Sequence, residues 1–144
     1  ENLLSAAKLL NVKKIILLGG IYAEVPYDKD RFVTSIYSLP HLKNEVESLS
    51  VELSNYQGPG SIGSYVCNRA GKNNMEMIGL YSFCPIFHFS QFEGVSENIH
   101  IENDFMAWLG IMNRVNHMLD ININLDDLEQ KTENLTRKIH KSLT

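Results

Sequence analysis

A glycine-rich turn followed by two serines is the pattern in this sequence that best fits ligand binding. Gly58 and Gly60 flank Pro59, and Ser61 and Ser64 follow at the predicted start of a helix. Free amides at a helix N-terminus, together with serine hydroxyls, are suited to hold a phosphate or a carboxylate. The same residues also fit a tight connection that needs glycine torsions and binds nothing. Because no lysine follows the turn, a Walker phosphate loop is excluded.

Glu24 is a second candidate, because it follows a predicted strand that ends at Gly19 and Gly20. Ligands in open α/β sheets bind beyond the carboxyl ends of the strands. A glutamate at that place could accept hydrogen bonds from a ligand. The alternative interpretation is a solvated loop acid, which is the common state of glutamate in proteins.

An aromatic run forms the third candidate, with Phe87 and Phe89 on either side of His88. Imidazole titrates near neutral pH, so His88 could act as an acid or a base. The sequence favours the other interpretation, a loop buried in a contact between subunits, because aromatic residues are enriched in the cores of interfaces. Phe87, His88 and Phe89 are therefore predicted interface residues.

No catalytic or metal-binding constellation is visible among the remaining residues. The sequence has no Gly-x-Ser-x-Gly elbow, and its five histidines show no metal-ligand spacing on a recognisable scaffold. Cys67 and Cys84 fit reduced thiols in or near the core. We therefore expect no metal and no cofactor, and the sequence favours a protein that is not an enzyme.

Composition and charge exclude several classes of protein. The chain has 144 residues, 44% of them hydrophobic and 21% charged, which predicts one soluble domain over residues 1–144. A net charge of -4 argues against a nucleic-acid-binding surface. No apolar run approaches the ~20 residues of a membrane span, and no signal peptide is visible. These features predict a cytoplasmic protein that contacts neither nucleic acid nor membrane.

Strands and helices alternate along the chain. The four apolar residues from Ile15 to Leu18 predict a strand buried on both faces, and Ser38 is a predicted helix cap. Predicted strands cover 13–20, 33–37, 51–54 and 75–84, and predicted helices cover 2–11, 38–49, 62–72, 101–119 and a last segment that Asn124 begins.

The two C-terminal helices carry apolar stripes of different widths. The stripe from Phe105 to Leu119 is wide and predicts a core helix to which Trp108 contributes most. The last helix has a narrow seam that includes Leu128 and Leu135, which suits packing against one other helix or a partner. The order of elements predicts a layered α/β domain with a mainly parallel sheet.

Four segments together resemble the proteasome assembly chaperone 2 family over essentially all of the chain. They are Leu17-Leu18-Gly19-Gly20, Gly58-Pro59-Gly60-Ser61-Ile62-Gly63, Phe83-Cys84-Pro85, and a C-terminal pair made of Glu102-Asn103-Asp104-Phe105 with Trp108 and of the stretch from Asp120 to Glu129. The resemblance implies a phosphorylase-like, three-layer α/β/α fold and homo-oligomers. It also implies an N-terminal half that these residues do not include, so that one sheet edge is expected to lack strands.

The resemblance leaves two functional hypotheses open. The first is an interaction or assembly module that presents a sheet edge, the aromatic run and the Leu128–Leu135 seam to copies of itself or to a partner. The second is a small-molecule or anion-binding protein or enzyme that uses the Gly58–Ser64 turn. Family members that dock on proteasome rings use a C-terminal tail with a penultimate tyrosine, whereas this chain ends Lys141-Ser142-Leu143-Thr144. The label ATP-grasp, which some members carry, has no chemical support in these residues.

Overall fold

A computed structural model describes residues 2–55, 60–86, 101 and 103–143 of the chain. Its elements are α1 (Asn2–Leu9), β1 (Lys14–Ala23), β2 (Val33–Tyr37), a 3-10 turn (Pro40–Leu42), α2 (Lys43–Glu47), β3 (Glu52–Leu53), α3 (Ile62–Lys72), β4 (Glu76–Pro85), α4 (Phe105–Leu119) and α5 (Asp126–Leu143). The predicted α/β class is confirmed, and each predicted strand and helix is found with shifted ends.

The four strands within these described ranges form one sheet in the order β1-β4-β2-β3. Strands β2 and β3 are parallel, with Thr34 opposite Glu52 and Ser35 opposite Leu53. Strands β1 and β4 are neighbours in the sheet although β2 and β3 lie between them in the chain, so the sheet order requires a crossover.

The position of each strand in the sheet explains its burial. Strand β4 is interior, and Met77, Ile78 and Leu80 in it are fully buried. Strand β1 is at an edge of the described sheet, so that its apolar run is only half-buried and Leu18 remains 48% exposed. The prediction that Ile15 to Leu18 are buried on both faces is therefore wrong, because an uninterrupted apolar run does not report whether a strand is central.

The chain folds into two compact units, and the first comprises residues 1–19 and 34–81. On one face of its sheet, Leu4 of α1 and Cys67 and Ala70 of α3 form a core cluster with Met77, against which Ile15 and Leu17 pack. Side chains alternate between the faces of a strand. Lys14 therefore points to the other face, where its Nζ lies 2.7 Å from Glu45 Oε2 of α2. Within this unit, helices cover both faces of the strands.

Ser38 has a different role from the predicted helix cap. Its hydroxyl donates to the carbonyl of Met75 and accepts from the amide of Met77, both at 2.8 Å. The 3-10 turn that follows has no side-chain cap. The prediction that Ser38 caps a helix is wrong. Ser38 follows β2 and lies beside β4, where its hydroxyl is hydrogen-bonded to the backbone of Met75 and Met77.

The second unit comprises residues 20–33 and 82–144, and α4 and α5 pack against each other within it. Ala107, Ile111 and Val115 form the buried face of α4, and Ile139 is buried on α5. Trp108 is 48% exposed, so the prediction that it dominates the core is wrong. The buried face follows a spacing of four residues, and Trp108 lies beside it.

The connection between α4 and α5 is held by asparagine side chains. Asn116 Oδ1 accepts from the amide of Ile123, and its Nδ2 donates to the carbonyl of the same residue. Asn124 Oδ1 accepts from the amide of Asp126 at 2.9 Å, as expected of a residue that begins a helix. This turn fixes α5 beside α4.

Candidate functional site

The first turn of α3 carries three of the predicted binding residues. Ser61 is the N-cap, and its Oγ accepts from the amide of Ser64 at 3.1 Å. The Ser64 hydroxyl donates in turn to the carbonyl of Ser61 at 2.9 Å. A Cβ added at Gly60 would meet only Ser64 Oγ, at 3.4 Å, and the φ of Gly60 is outside the left-handed region. Glycine torsions are therefore not required at Gly60, contrary to the interpretation of this turn as a tight connection that needs them.

The two hydroxyls that were expected to hold an anion are engaged within this cap. The first amides of the helix, those of Ile62 and Gly63, are the ones that helical geometry leaves without an intrahelical acceptor. An anion at this turn would therefore meet backbone amides, with the serines acting mainly to fix the turn. Gly58, the fourth residue of the predicted site, lies outside the described residues.

Tyr81 of β4 lies beneath this turn and was not predicted from the sequence. A Cβ added at Gly63 would be 2.0 Å from the Tyr81 hydroxyl oxygen, and one added at Gly19 would be 2.6 Å from its ring. A Cβ at Gly79 would be 3.0 Å from the ring as well. The phenol side chain thus occupies a slot whose walls are glycines. Glycines at these three places were the sequence signal that could have revealed it.

The Tyr81 hydroxyl oxygen is buried and has no hydrogen-bond partner among the described residues. Burial raises the pKa of Tyr81, and Ser61 nearby lowers it in part, although the two hydroxyls have no well-formed hydrogen bond. An uncharged donor is therefore held next to the first amides of α3. Protein interiors rarely leave such a group unpaired.

Glu24 belongs to the second unit, where it follows β1 and is exposed. The α3 turn belongs to the first unit. The solvated-acid interpretation fits the exposure of Glu24, and its binding role stays a prediction.

Leu128 and Leu135 lie on α5 and are half-buried, as is Leu125 on the same seam. Because α5 packs against α4, intramolecular packing accounts for much of the predicted seam. Their role in an interface stays a prediction. Phe87, His88 and Phe89, which were predicted to join them there, lie outside the described residues.

A buried ion pair fixes the start of α4. Arg31 Nε donates to Asp104 Oδ2 at 2.8 Å, and their side chains are 1% and 6% exposed. Asp104 Oδ1 also accepts from the amide of Ala107 as the N-cap of α4. Arg31 Nη1 donates to three backbone carbonyls, those of Pro26, Tyr27 and Lys29. The pair thus joins the segment after β1 to α4 within the second unit.

Neither cysteine is activated as a nucleophile. Burial raises the pKa of the Cys67 thiol, and burial with the negative charge of Asp104 raises that of Cys84 more than Arg31 lowers it. Both thiols are therefore protonated at neutral pH. This agrees with the interpretation of both cysteines as packing residues.

Comparison with known proteins identifies the family. The model of the PAC2 family matches residues 1–143. The chain belongs to the PAC2 family. The resemblance seen in the sequence is thereby confirmed. No curated protein is significantly similar to this PAC2-family chain in sequence.

Three solved structures show the same fold. A PAC2 family protein from Streptomyces avermitilis MA has 21% identity, a TM-score of 0.77, and coverage of 97% of this chain and 54% of that one. Pyrococcus furiosus PbaA, an archaeal homolog of proteasome-assembly chaperone, has 18% identity and a TM-score of 0.73, and the match covers 97% of this chain and 52% of that one. PbaB of the same organism, an archaeal proteasome activator, has 16% identity and a TM-score of 0.69, and the match covers 99% of this chain and 56% of that one. This chain therefore spans about half the length of these structures.

The described part of this PAC2-family chain has neither a cluster of metal-ligating side chains nor a helix that could span a membrane. Within residues 2–55, 60–86, 101 and 103–143, no three side chains of histidine, cysteine, aspartate or glutamate are grouped so as to hold a metal ion. Among the helices in the same ranges, none is long and apolar enough to cross a membrane.

Proposed function

We propose that this PAC2-family chain is a non-catalytic interaction module that assists the assembly of a larger protein complex. The observation that carries the proposal is a set of large apolar side chains left exposed in both units. Tyr65 in the first unit is 62% exposed, and Phe32 and Trp108 in the second are 63% and 48% exposed. Aromatic residues of this kind dominate the binding energy of protein interfaces.

Trp108 is the anchor that we propose from this set. Its ring meets that of Phe105 edge-to-face, with the centroids 5.4 Å apart and the planes at 82°. That contact restricts the indole while half of the side chain remains accessible. A restrained aromatic side chain loses little entropy on binding, which favours its use as an anchor.

The names of similar proteins support a chaperone-like role. The similar structures include an archaeal homolog of a proteasome-assembly chaperone and an archaeal proteasome activator. The expected partners are therefore proteins, including further copies of this chain and subunits of a proteasome-like complex. A cytoplasmic location belongs to the same proposal.

Sedimentation velocity of the chain, alone and with purified proteasome subunits, tests the proposal. We expect a concentration-dependent oligomer or a complex, and Trp108→Ala should weaken it about tenfold or more, as for an interface anchor. His117→Ala, an exposed change on the same helix, should leave it intact. A chain that is monomeric and binds no subunit at any concentration would overturn the proposal.

A second candidate is a protein that binds a small anion at the first turn of α3. The buried, unpartnered Tyr81 hydroxyl next to this turn favours it. A thermal-shift screen with phosphate, nucleotides and carboxylates tests it. A melting temperature that rises with one anion, and no longer rises in Ser61→Ala, would support this function and bring the enzyme hypothesis forward.

A further inference from the structure

A cleft between α1 and α3 in the first unit combines an apolar floor with positive charge. We call it the α1–α3 cleft, and its volume is about 210 Å³. Its lining includes Leu3 and Lys8 from α1, Tyr65, Val66 and Arg69 from α3, and Asn73, which ends α3. None of the described residues that line it is acidic.

The walls of the α1–α3 cleft are apolar and open to a partner. Leu4 at its base is 8% exposed and belongs to the core cluster, against which Val66 packs. Leu3 and Tyr65 stand on either side and are 56% and 62% exposed. The floor is therefore fixed by the core, whereas the walls keep most of their apolar surface in water.

Asn73 orients the Lys8 side chain at the cleft. Lys8 Nζ donates to Asn73 Oδ1 at 2.8 Å, and Asn73 Nδ2 donates to the carbonyl of Arg69, also at 2.8 Å. An amide oxygen orients an ammonium group without neutralising its charge. The ammonium of Lys8 is thereby positioned at the rim of the cleft.

The size of the cleft selects the kind of ligand. Sites for small molecules and cofactors have about 300–1,000 Å³, so this cleft is too small for most of them. It suits one large side chain of another protein, the usual way in which an interface anchor is received. This surface contrasts with the net charge of -4 of the whole chain, which would repel an acidic partner elsewhere.

We propose that the α1–α3 cleft binds an acidic, apolar segment of a protein partner, with one leucine or aromatic side chain in the cleft and a neighbouring carboxylate paired with Lys8. The proposal rests on the proposed function and adds to it the chemistry of the partner. Tyr65 and Leu3 supply the apolar contact, and the positioned ammonium selects against a basic segment.

Nuclear magnetic resonance titration of the whole chain tests this proposal with two synthetic peptides. One alternates glutamate with leucine and phenylalanine, and the other has lysine in place of every glutamate. We expect the acidic peptide, up to millimolar concentration, to shift amide resonances of α1 and α3 around Leu3, Lys8 and Tyr65. The basic peptide should leave these resonances unchanged. No shift with the acidic peptide, or equal shifts with both, would overturn the proposal.

Charge reversal provides the second arm. Lys8→Glu should weaken binding of the acidic peptide about fivefold or more, because an attraction becomes a repulsion. Lys72→Glu makes the same change of charge in the last turn of α3 but outside the lining, and it should bind as the wild type does. Tyr65→Ala should also weaken binding of the acidic peptide, because it removes an apolar wall of the cleft. Equal affinity of Lys8→Glu and Lys72→Glu would overturn the charge argument.

The two proposals fail in different ways. A chain that forms oligomers or complexes in sedimentation, yet binds no acidic peptide at the cleft, would overturn this inference alone. A chain that does neither would overturn the proposed function as well.

Discussion

The first turns of α3 and α4 look alike in sequence and differ in the folded chain. Each helix begins with a polar residue whose side chain accepts from an amide three residues later: Ser61 from Ser64, and Asp104 from Ala107. The Ser61 cap is exposed and closed by its own helix. Asp104 is 7% exposed, and its second oxygen is paired with Arg31. A local signal therefore locates a helix start without reporting what the start is used for.

The largest effect is expected from breaking the α4 start. Asp104→Ala should lower the free energy of unfolding by about 3–5 kcal/mol, because it leaves the charge of Arg31 buried without its partner. Urea denaturation measures the change. Asp126→Ala is the matched control, because that acid is exposed at the start of α5, and it should cost less than about 1 kcal/mol. A loss for Asp104→Ala no larger than for the control would contradict the role of the pair.

Gly63→Ala should cost about 1–3 kcal/mol, since the new Cβ would be 2.0 Å from the Tyr81 hydroxyl oxygen. Tyr81→Phe removes that oxygen and leaves the nearest ring atom 3.3 Å away, so the double variant should recover much of the loss. Gly110→Ala in α4 is the control. Its Cβ would meet only Arg114 Nη1, at 3.7 Å, and alanine is the better helix former, so stability should rise. A double variant no more stable than Gly63→Ala would rule out the slot.

Ser61→Ala should lower stability by about 1 kcal/mol, the usual value for loss of a helix cap. The loss is smaller than for Asp104→Ala because no buried charge is left behind. Thermal and urea unfolding of the two variants side by side provide the measurement. Equal losses of stability in Ser61→Ala and Asp104→Ala would show that the first turn of α3 contributes as much to stability as the first turn of α4.

The smallest effect concerns pH. Burial raises the pKa of Tyr81 above its ordinary value of 10.0, so the folded state keeps the phenol proton where the unfolded state has lost it. The stability that the protonated Tyr81 phenol contributes is complete below about pH 10. It is lost as the pH rises towards and through the pKa of Tyr81 in the folded state. Tyr81→Phe should therefore lose less stability than the wild type above pH 10. The two cysteines titrate in both proteins and cancel in the comparison. Identical slopes of the free energy of unfolding against pH in the two proteins would show that folding does not raise the pKa of Tyr81.

The exposed pattern of apolar residues was the hardest feature to predict. Periodicity places Trp108 on a helix stripe and Ile15 to Leu18 in a strand, and both assignments are right for secondary structure. Burial depends on which neighbour covers each face. Trp108 lies beside the buried face of α4, and β1 lies at the edge of the described sheet. No pattern within one element contains that information.

The sequence by itself determined the family, the α/β class, the order of helices and strands, and the start of α3 directly after Ser61. These follow from short-range signals, such as apolar periodicity, capping residues and glycine turns, which act within a few residues. Tertiary structure alone decided that Arg31 pairs with Asp104 across 73 positions, that Ser38 bonds to β4, and that Tyr81 fills a slot between glycines. Each of these joins residues distant in the chain, and only packing of the elements brings such groups within reach.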